Sequence, residues 1–205
     1  MRHLLATLLA LCAAPLALAQ TIDRCPIRPG TQCVGANLRS ASLAQADLSR
    51  SDLSRSNLSG ADLSGARLDR ARLRQTDLQR ANLAKAALER ASLRNADLRG
   101  ATLAGATVSA ADLQGARLGN ANLKEANLSG TSLRYAGPAS AQLSGAILER
   151  ADLTGADLTG ADLRGARLEK ANLTNANLAG AKLEKASFRG ATVGGCTGCP
   201  PARGR

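Results

Sequence analysis

"ADLTGADLTGADLRGARL", residues Ala151 to Leu168, returns to Ala at every fifth position and places Leu two residues later. On an α-helix each residue turns the chain by about 100°, so Leu153, Leu158 and Leu163 would step around the axis by roughly 140° and form no apolar stripe. On a β-strand side chains alternate faces, and an odd spacing sends Leu153 and Leu158 to opposite sides. Every Leu meets the same surroundings only if the chain bends once per five residues, always in the same sense, and winds around the leucine side chains. The spacing therefore predicts a solenoid.

The frame runs without insertion from Ala36 to Gly195. Its thirty-two central positions, from 38 to 193 in steps of five, are Leu except at Val108, Pro138, Phe188 and Val193. Two residues before each centre stands Ala, replaced only by Ser51, Ser56, Thr76 and Thr131, all small enough to point into a tight interior. Asp or Asn commonly precedes the centre, as at Asn37, Asp47, Asp62, Asp97 and Asn172, where a short polar side chain can bond to nearby backbone. Gly or Asn often closes the unit, as at Gly60, Gly100, Asn120, Gly155 and Gly180, where a turn residue tolerates positive φ. Beyond Tyr135 and Phe188 the chain has no aromatic residue. Ala and Leu must fill the interior, which suits a narrow uniform tube better than a thick layered domain.

The motif A-(D/N)-L-x-x, present here as "ADLSG", "ANLKE" and "ADLTG", resembles that of pentapeptide-repeat proteins over about four fifths of the chain. The resemblance implies an all-β fold, a right-handed quadrilateral β-helix with four pentapeptides per coil and the Leu and small residues inward. About eight coils follow, stacked at about 4.8 Å into a rod on the order of 38 Å long. One stretch departs from the motif. In "TSLRYAGPASAQL" Gly137 and Pro138 occupy the Asp and Leu positions, and Pro removes a ladder donor and a core side chain. The frame resumes at Ala141, so a local bulge or kink is expected, an absorbed repeat defect more than a binding notch, with Tyr135 folded over the gap.

The N-terminus reads as an address. Arg2 and His3 precede an apolar run from Leu4 to Leu16, too short to span a bilayer, and Ala17-Leu18-Ala19 completes a cleavable signal with Gln20 as the first mature residue. Leu11 before Cys12 argues against lipidation. The expected organisation is a signal peptide over 1–19, a cap segment over 20–35 with Cys25 and Cys33, the repeat solenoid over 36–195, and a tail over 196–205 with Cys196 and Cys199. No transmembrane segment is expected in the mature chain, and its destination is periplasmic or extracellular. In such an oxidising compartment four cysteines suggest disulfides. On a rod of the implied length the two pairs lie too far apart to bridge, so Cys25 is expected with Cys33 and Cys196 with Cys199. The same separation argues against a four-cysteine zinc site.

The chemistry for catalysis is thin. His3 is the only histidine and leaves with the signal, so no imidazole remains for general-base, nucleophile-activating or metal-binding work. Every Gly is explained by a turn, which leaves no phosphate-binding loop. The chain is read as non-enzymatic, with no catalytic residue, metal or cofactor. The formal net charge is +11, reduced by one when Arg2 leaves. That charge excludes DNA mimicry, which needs an acidic rod, and admits acidic polymers as partners. At a 20-residue coil Arg50, Arg70 and Arg90 stack, with Arg72, Arg74 and Arg94 on the following face, a candidate anion-binding edge. Acids beside bases, as in Asp69-Arg70, Glu89-Arg90, Glu149-Arg150 and Glu169-Lys170, suggest a neutralised solvated face. No aromatics are interleaved to stack on bases, which argues against sequence-specific nucleic-acid recognition. The Thr residues form no sustained column, which argues against an ice-binding face. The leading expectation is a non-catalytic extracytoplasmic scaffold that contacts an envelope or secreted protein. The alternative is binding of an anionic polymer, whether acidic glycan, lipopolysaccharide or nucleic acid, through the basic edge.

Overall fold

The computed structural model describes residues 21–200. The expected signal over 1–19, with His3 and Cys12, lies outside the described residues, as do Gln20 and the end of the tail over 201–205.

Five residues form the natural unit because two point in, one pairs along the rod and two turn a corner. In the unit around Leu38 the side chain is fully buried, while Arg39 and Ser40 make the turn that brings the Ala41 N–H to the Leu38 carbonyl at 3.1 Å. The closing residue has positive φ, as in a type II turn, and this recurs at every corner. Gly and Asn suit it best, yet Arg50, Arg70, Glu125 and Tyr135 adopt the same left-handed conformation, with φ between 54° and 58°. The sequence shows the preference at this position but not that larger side chains also accept it, at a cost on the order of 1 kcal/mol each.

Successive coils lie 20 residues apart, and parallel bridges run in that one register from Gln32 with Asp52 to Asn177 with Thr197. Each face contributes one bridged residue per coil, too few for an extended strand. Bonding is still dense. The Leu38 N–H donates to the Asn57 carbonyl at 2.7 Å, the Ser40 N–H to Ser59 at 2.9 Å, and the Asn57 N–H returns to Ala36 at 2.9 Å. The result is a right-handed quadrilateral β-helix of eight coils.

The core is a stack of Leu and Ala rungs, with every centre from Leu38 to Leu178 buried. The four small polar residues also point inward and are satisfied. Ser51 and Ser56 donate to the Leu48 and Leu53 carbonyls at 2.5 and 2.6 Å, and Thr76 and Thr131 donate to Leu53 and Val108, both at 2.9 Å. In the last coil Leu183, Phe188 and Val193 are only half-buried.

Gly137 and Pro138 cause neither the expected bulge nor a kink. Gly137 keeps its bridge to Arg117, Pro138 is buried at the Leu position, and Ala141 N–H reaches the Pro138 carbonyl at 3.0 Å. Proline's fixed φ fits the site, so the cost is confined to one missing donor toward Asp157 and a smaller side chain. The bridge from Gly137 to Asp157 is absent, and a void of about 10 Å³ remains among Pro138 and the neighbouring leucines, too small and apolar to hold a water. Tyr135 does not fold over this void either. It is 61% exposed and lies over Gly155 on the same corner of the next coil, where its ring takes the space that a Cβ would need.

The ends are closed by short segments. β1 (Thr21–Ile22) and β2 (Cys25–Pro26) form an antiparallel pair above the first coil, and Asp23 Oδ2 accepts the Asn37 N–H at 2.6 Å. Cys25 is bonded to Cys33, with Cα atoms 5.3 Å apart and Cys33 at a core centre. At the other end Thr197 still pairs with Asn177, and then Gly198, at φ 73°, turns the chain. A Cβ on Gly198 would lie 2.7 Å from the Leu178 carbonyl oxygen, so only glycine fits. Cys196 is bonded to Cys199, with Cα atoms 5.8 Å apart, and both pack against the core.

Candidate functional site

Arg50, Arg70 and Arg90 close units on one corner in three successive coils, with φ of 58°, 57° and 57°. The 20-residue register stacks them one coil apart, about 4.8 Å. Arg74 and Arg94 stack in the same way on the next face. Arg72 does not extend that column, because its register partners are Asp52 and Ser92. Arg55, on the same corner as Arg74 and Arg94, shares a groove with them and was missed by sequence reasoning, although the 20-residue arithmetic places it there.

Acids do lie beside the bases of this edge, but the close ion pairs are made elsewhere. Among the described residues Asp69 makes no ion pair with Arg70, nor Glu89 with Arg90, Glu149 with Arg150 or Glu169 with Lys170, although Asp69 and Glu89 line one groove with Arg70 and Arg90. Ion pairs form instead between coils, Arg67 with Asp47 at 3.0 Å, Arg72 with Asp52 at 3.5 Å and Arg117 with Asp97 at 3.4 Å. Others cross obliquely, Arg94 with Asp112 at 3.4 Å, Arg134 with Asp152 at 3.8 Å, and Arg167 with Glu149. Asp69 Oδ1 accepts the Glu89 N–H at 3.1 Å, and Arg74 Nε donates to Ser92 Oγ at 3.0 Å. Among the described residues Arg50, Arg70, Arg74 and Arg90 have no carboxylate within 4.0 Å, whereas Arg72 and Arg94 are paired.

Two shallow grooves flank this edge. One, of about 360 Å³, runs from Pro29 along Arg50, Arg70 and Arg90, with Ser49, Asp69 and Glu89 on its wall. The other, of about 530 Å³, lies between Val34, Arg55, Arg74 and Arg94. Among the described residues no His, Cys, Asp and Glu side chains gather as a metal site, and no helix is long and apolar enough to cross a membrane.

Asp47, Asp62, Asp97 and Asp162, each just before a Leu centre, are held ionised by local bonds. Ser49, through its hydroxyl and N–H, holds the Asp47 carboxyl below its usual range, and Ser64 does the same for Asp62. The guanidinium of Arg99 lowers Asp97, and that of Arg164 lowers Asp162 to about 2. A pKa below the unfolded value means that the unfolded chain binds more protons, so the stability these groups contribute is present above about pH 4 and is lost as pH falls toward about 2. Melting temperature is therefore expected to stay level from pH 8 to 5 and to drop below pH 4. A midpoint that held constant down to pH 2 would contradict these bonds.

The pentapeptide-repeats family model matches residues 31–70, 66–105, 101–136, 139–175 and 171–192, in eight copies. Among solved structures, HetL, a pentapeptide repeat protein involved in heterocyst differentiation regulation from Nostoc sp. strain PCC 7120, is 34% identical over 82% of this chain and 89% of its own, with a TM-score of 0.36. A trypsin-treated variant of QnrB1, a plasmid-mediated fluoroquinolone resistance protein, is 21% identical over 83% of this chain and 85% of its own, with a TM-score of 0.59, a likeness of fold alone. A pentapeptide repeat protein of the Arabidopsis thaliana thylakoid lumen is 32% identical over 54% of this chain and 71% of its own, with a TM-score of 0.39. No curated protein matches the chain.

Proposed function

The chain belongs to the pentapeptide-repeat family, whose members are non-catalytic repeat scaffolds, and from that premise we propose that it is an exported rod that docks an envelope or secreted protein. The observation that carries this reading is the unbroken 20-residue register from Gln32 to Thr197. A solenoid bonded at every rung is stiff and presents regular faces, which suits docking. Export is supported by the apolar segment before Ala17-Leu18-Ala19 and by a disulfide at each end of the rod, since such bonds persist in oxidising compartments.

Fractionation of cells that express the tagged chain tests this reading, with cross-linking in the envelope fraction followed by mass spectrometry. The expected product starts at Gln20, carries no alkylatable thiol, lies outside the cytoplasm and cross-links reproducibly to one envelope or secreted protein. An uncleaved cytoplasmic chain with free thiols would contradict it.

A second reading, binding of an anionic polymer, is favoured by one observation. Arg50, Arg70 and Arg90 stack about one coil apart with no carboxylate in ion-pair contact among the described residues, an arrangement of like charges that a polyanion would relieve.

A further inference from the structure

We propose that the corner formed by Arg50, Arg70 and Arg90 binds a linear acidic polysaccharide laid parallel to the rod axis, with its carboxylates on the guanidinium groups. This rests on the anionic-polymer reading of the same edge and names the polymer. Three features of the groove select a glycan over a nucleic acid.

The first is spacing. The ladder is straight, with one cation per coil of about 4.8 Å, whereas a DNA strand carries a charge every 3.4 Å or so and winds away from a straight line. A uronate polymer linked across its sugar rings carries one carboxylate per sugar at a rise comparable with one coil, and rotation about its glycosidic bonds turns these carboxylates toward the ladder. The guanidinium fork matches that carboxylate with two parallel hydrogen bonds.

The second is the company the arginines keep. Ser49, Asp69 and Glu89 line the same groove. Carboxylates there repel any polyanion alike, but they also accept hydrogen bonds from sugar hydroxyls, which a uronate presents beside every charge and a phosphodiester backbone of DNA does not. The third is the absence of a stacking platform. The exposed aromatic Tyr135 lies on another corner, beyond the end of the ladder, so nothing in the groove would hold a base.

The ladder is also bounded. Pro29 closes the groove at the cap end, and after Arg90 the same corner is occupied by Ala110 and Gly130. The site therefore spans three charges, and affinity should rise with oligomer length and then level off.

The corner offers a substitution that spares the fold. Gly130 and Gly190 occupy it in other coils, with φ of 63° and 71°, so Arg50→Gly, Arg70→Gly and Arg90→Gly remove charge while relieving left-handed strain. The test uses the full chain with its disulfides oxidised, titrated with oligogalacturonates of increasing length, their methyl esters, and single-stranded DNA of matched charge. Saturable oligogalacturonate binding is expected, climbing to about three sugars and then level, absent for the methyl esters and weaker for DNA. Arg70→Gly should weaken it roughly fivefold, the upper end for one exposed ion pair, and flatten its salt dependence by about one released counterion. The triple glycine variant should lose binding while melting no lower than the parent, and Arg150→Gly, outside the ladder, should change nothing. DNA binding that equals or exceeds oligogalacturonate and is lost in the triple variant would overturn the glycan and leave the polymer reading standing. Binding unchanged in the triple variant would remove the ladder as the site. No saturable binding of any polyanion would overturn both the glycan and the polymer reading.

Discussion

Leu98→Asp is expected to destabilise the rod by roughly 4 kcal/mol or more, because an ionised carboxylate would lie among Leu and Ala side chains with no partner. Leu98 is fully buried at the centre of the fourth coil, with a coil stacked on either side. Folding in a solenoid is carried by contacts between neighbours, so a failed middle coil also uncouples the coils on its two sides. Leu183→Asp provides the comparison within the same repeat, since the last coil leaves Leu183 half-buried and its carboxylate can reach water. Chemical denaturation of both variants should show a large loss for Leu98→Asp and a clearly smaller one for Leu183→Asp. Equal midpoints, or a Leu98→Asp variant that melts with the parent, would place Leu98 at the surface.

Reduction of the bond between Cys25 and Cys33 is expected to cost the first coil about 2 to 3 kcal/mol, the loop-closure value for a short ring. Both cysteines are buried, and Cys33 fills a core centre at which the first rung is covered by the cap. The loss should stay local. Amide exchange after reduction should quicken around Gln32 to Leu43 while Leu98 to Leu128 keep their protection, because each coil contacts only its neighbours. The bond between Cys196 and Cys199 closes a smaller ring, so its reduction should matter less and only near Thr197. Exchange that accelerated evenly along the rod would contradict nearest-neighbour stability.

The fold is legible in the sequence because its unit is short and its two inward positions allow few residue types. A five-residue beat of small and large apolar residues excludes helix and strand by geometry, and the Asp or Asn before each centre correctly announces a local backbone bond, such as the Ser49 N–H to Asp47 Oδ1 at 3.0 Å. Less of the surface can be read this way. Immediate sequence neighbours look like charge partners, but Asp69 and Arg70 form no ion pair, and the pairs that do form link residues two apart, as for Arg164 with Asp162, or 18 or 20 apart, as for Arg94 with Asp112 and Arg67 with Asp47. Which diagonal an arginine takes depends on rotamers that a linear pattern does not encode. Pro138 misleads for the opposite reason. Proline signals a break in an ordinary strand, yet a face that bridges only through the residue before it loses little when that residue is Gly137.

The 20-residue register underlies the rod, the ladder and the grooves, and paired cysteines test it most directly. Ser109→Cys with Ser129→Cys places two thiols on the same face one coil apart, about 4.8 Å, within the span that a disulfide bridges. Ser109→Cys with Lys124→Cys, 15 residues apart, places them on different faces. Mild oxidation followed by peptide mapping should link the introduced thiols only in the first pair, rapidly and without loss of stability. Efficient linkage in the 15-residue pair, or none in the 20-residue pair, would contradict the four-sided coil.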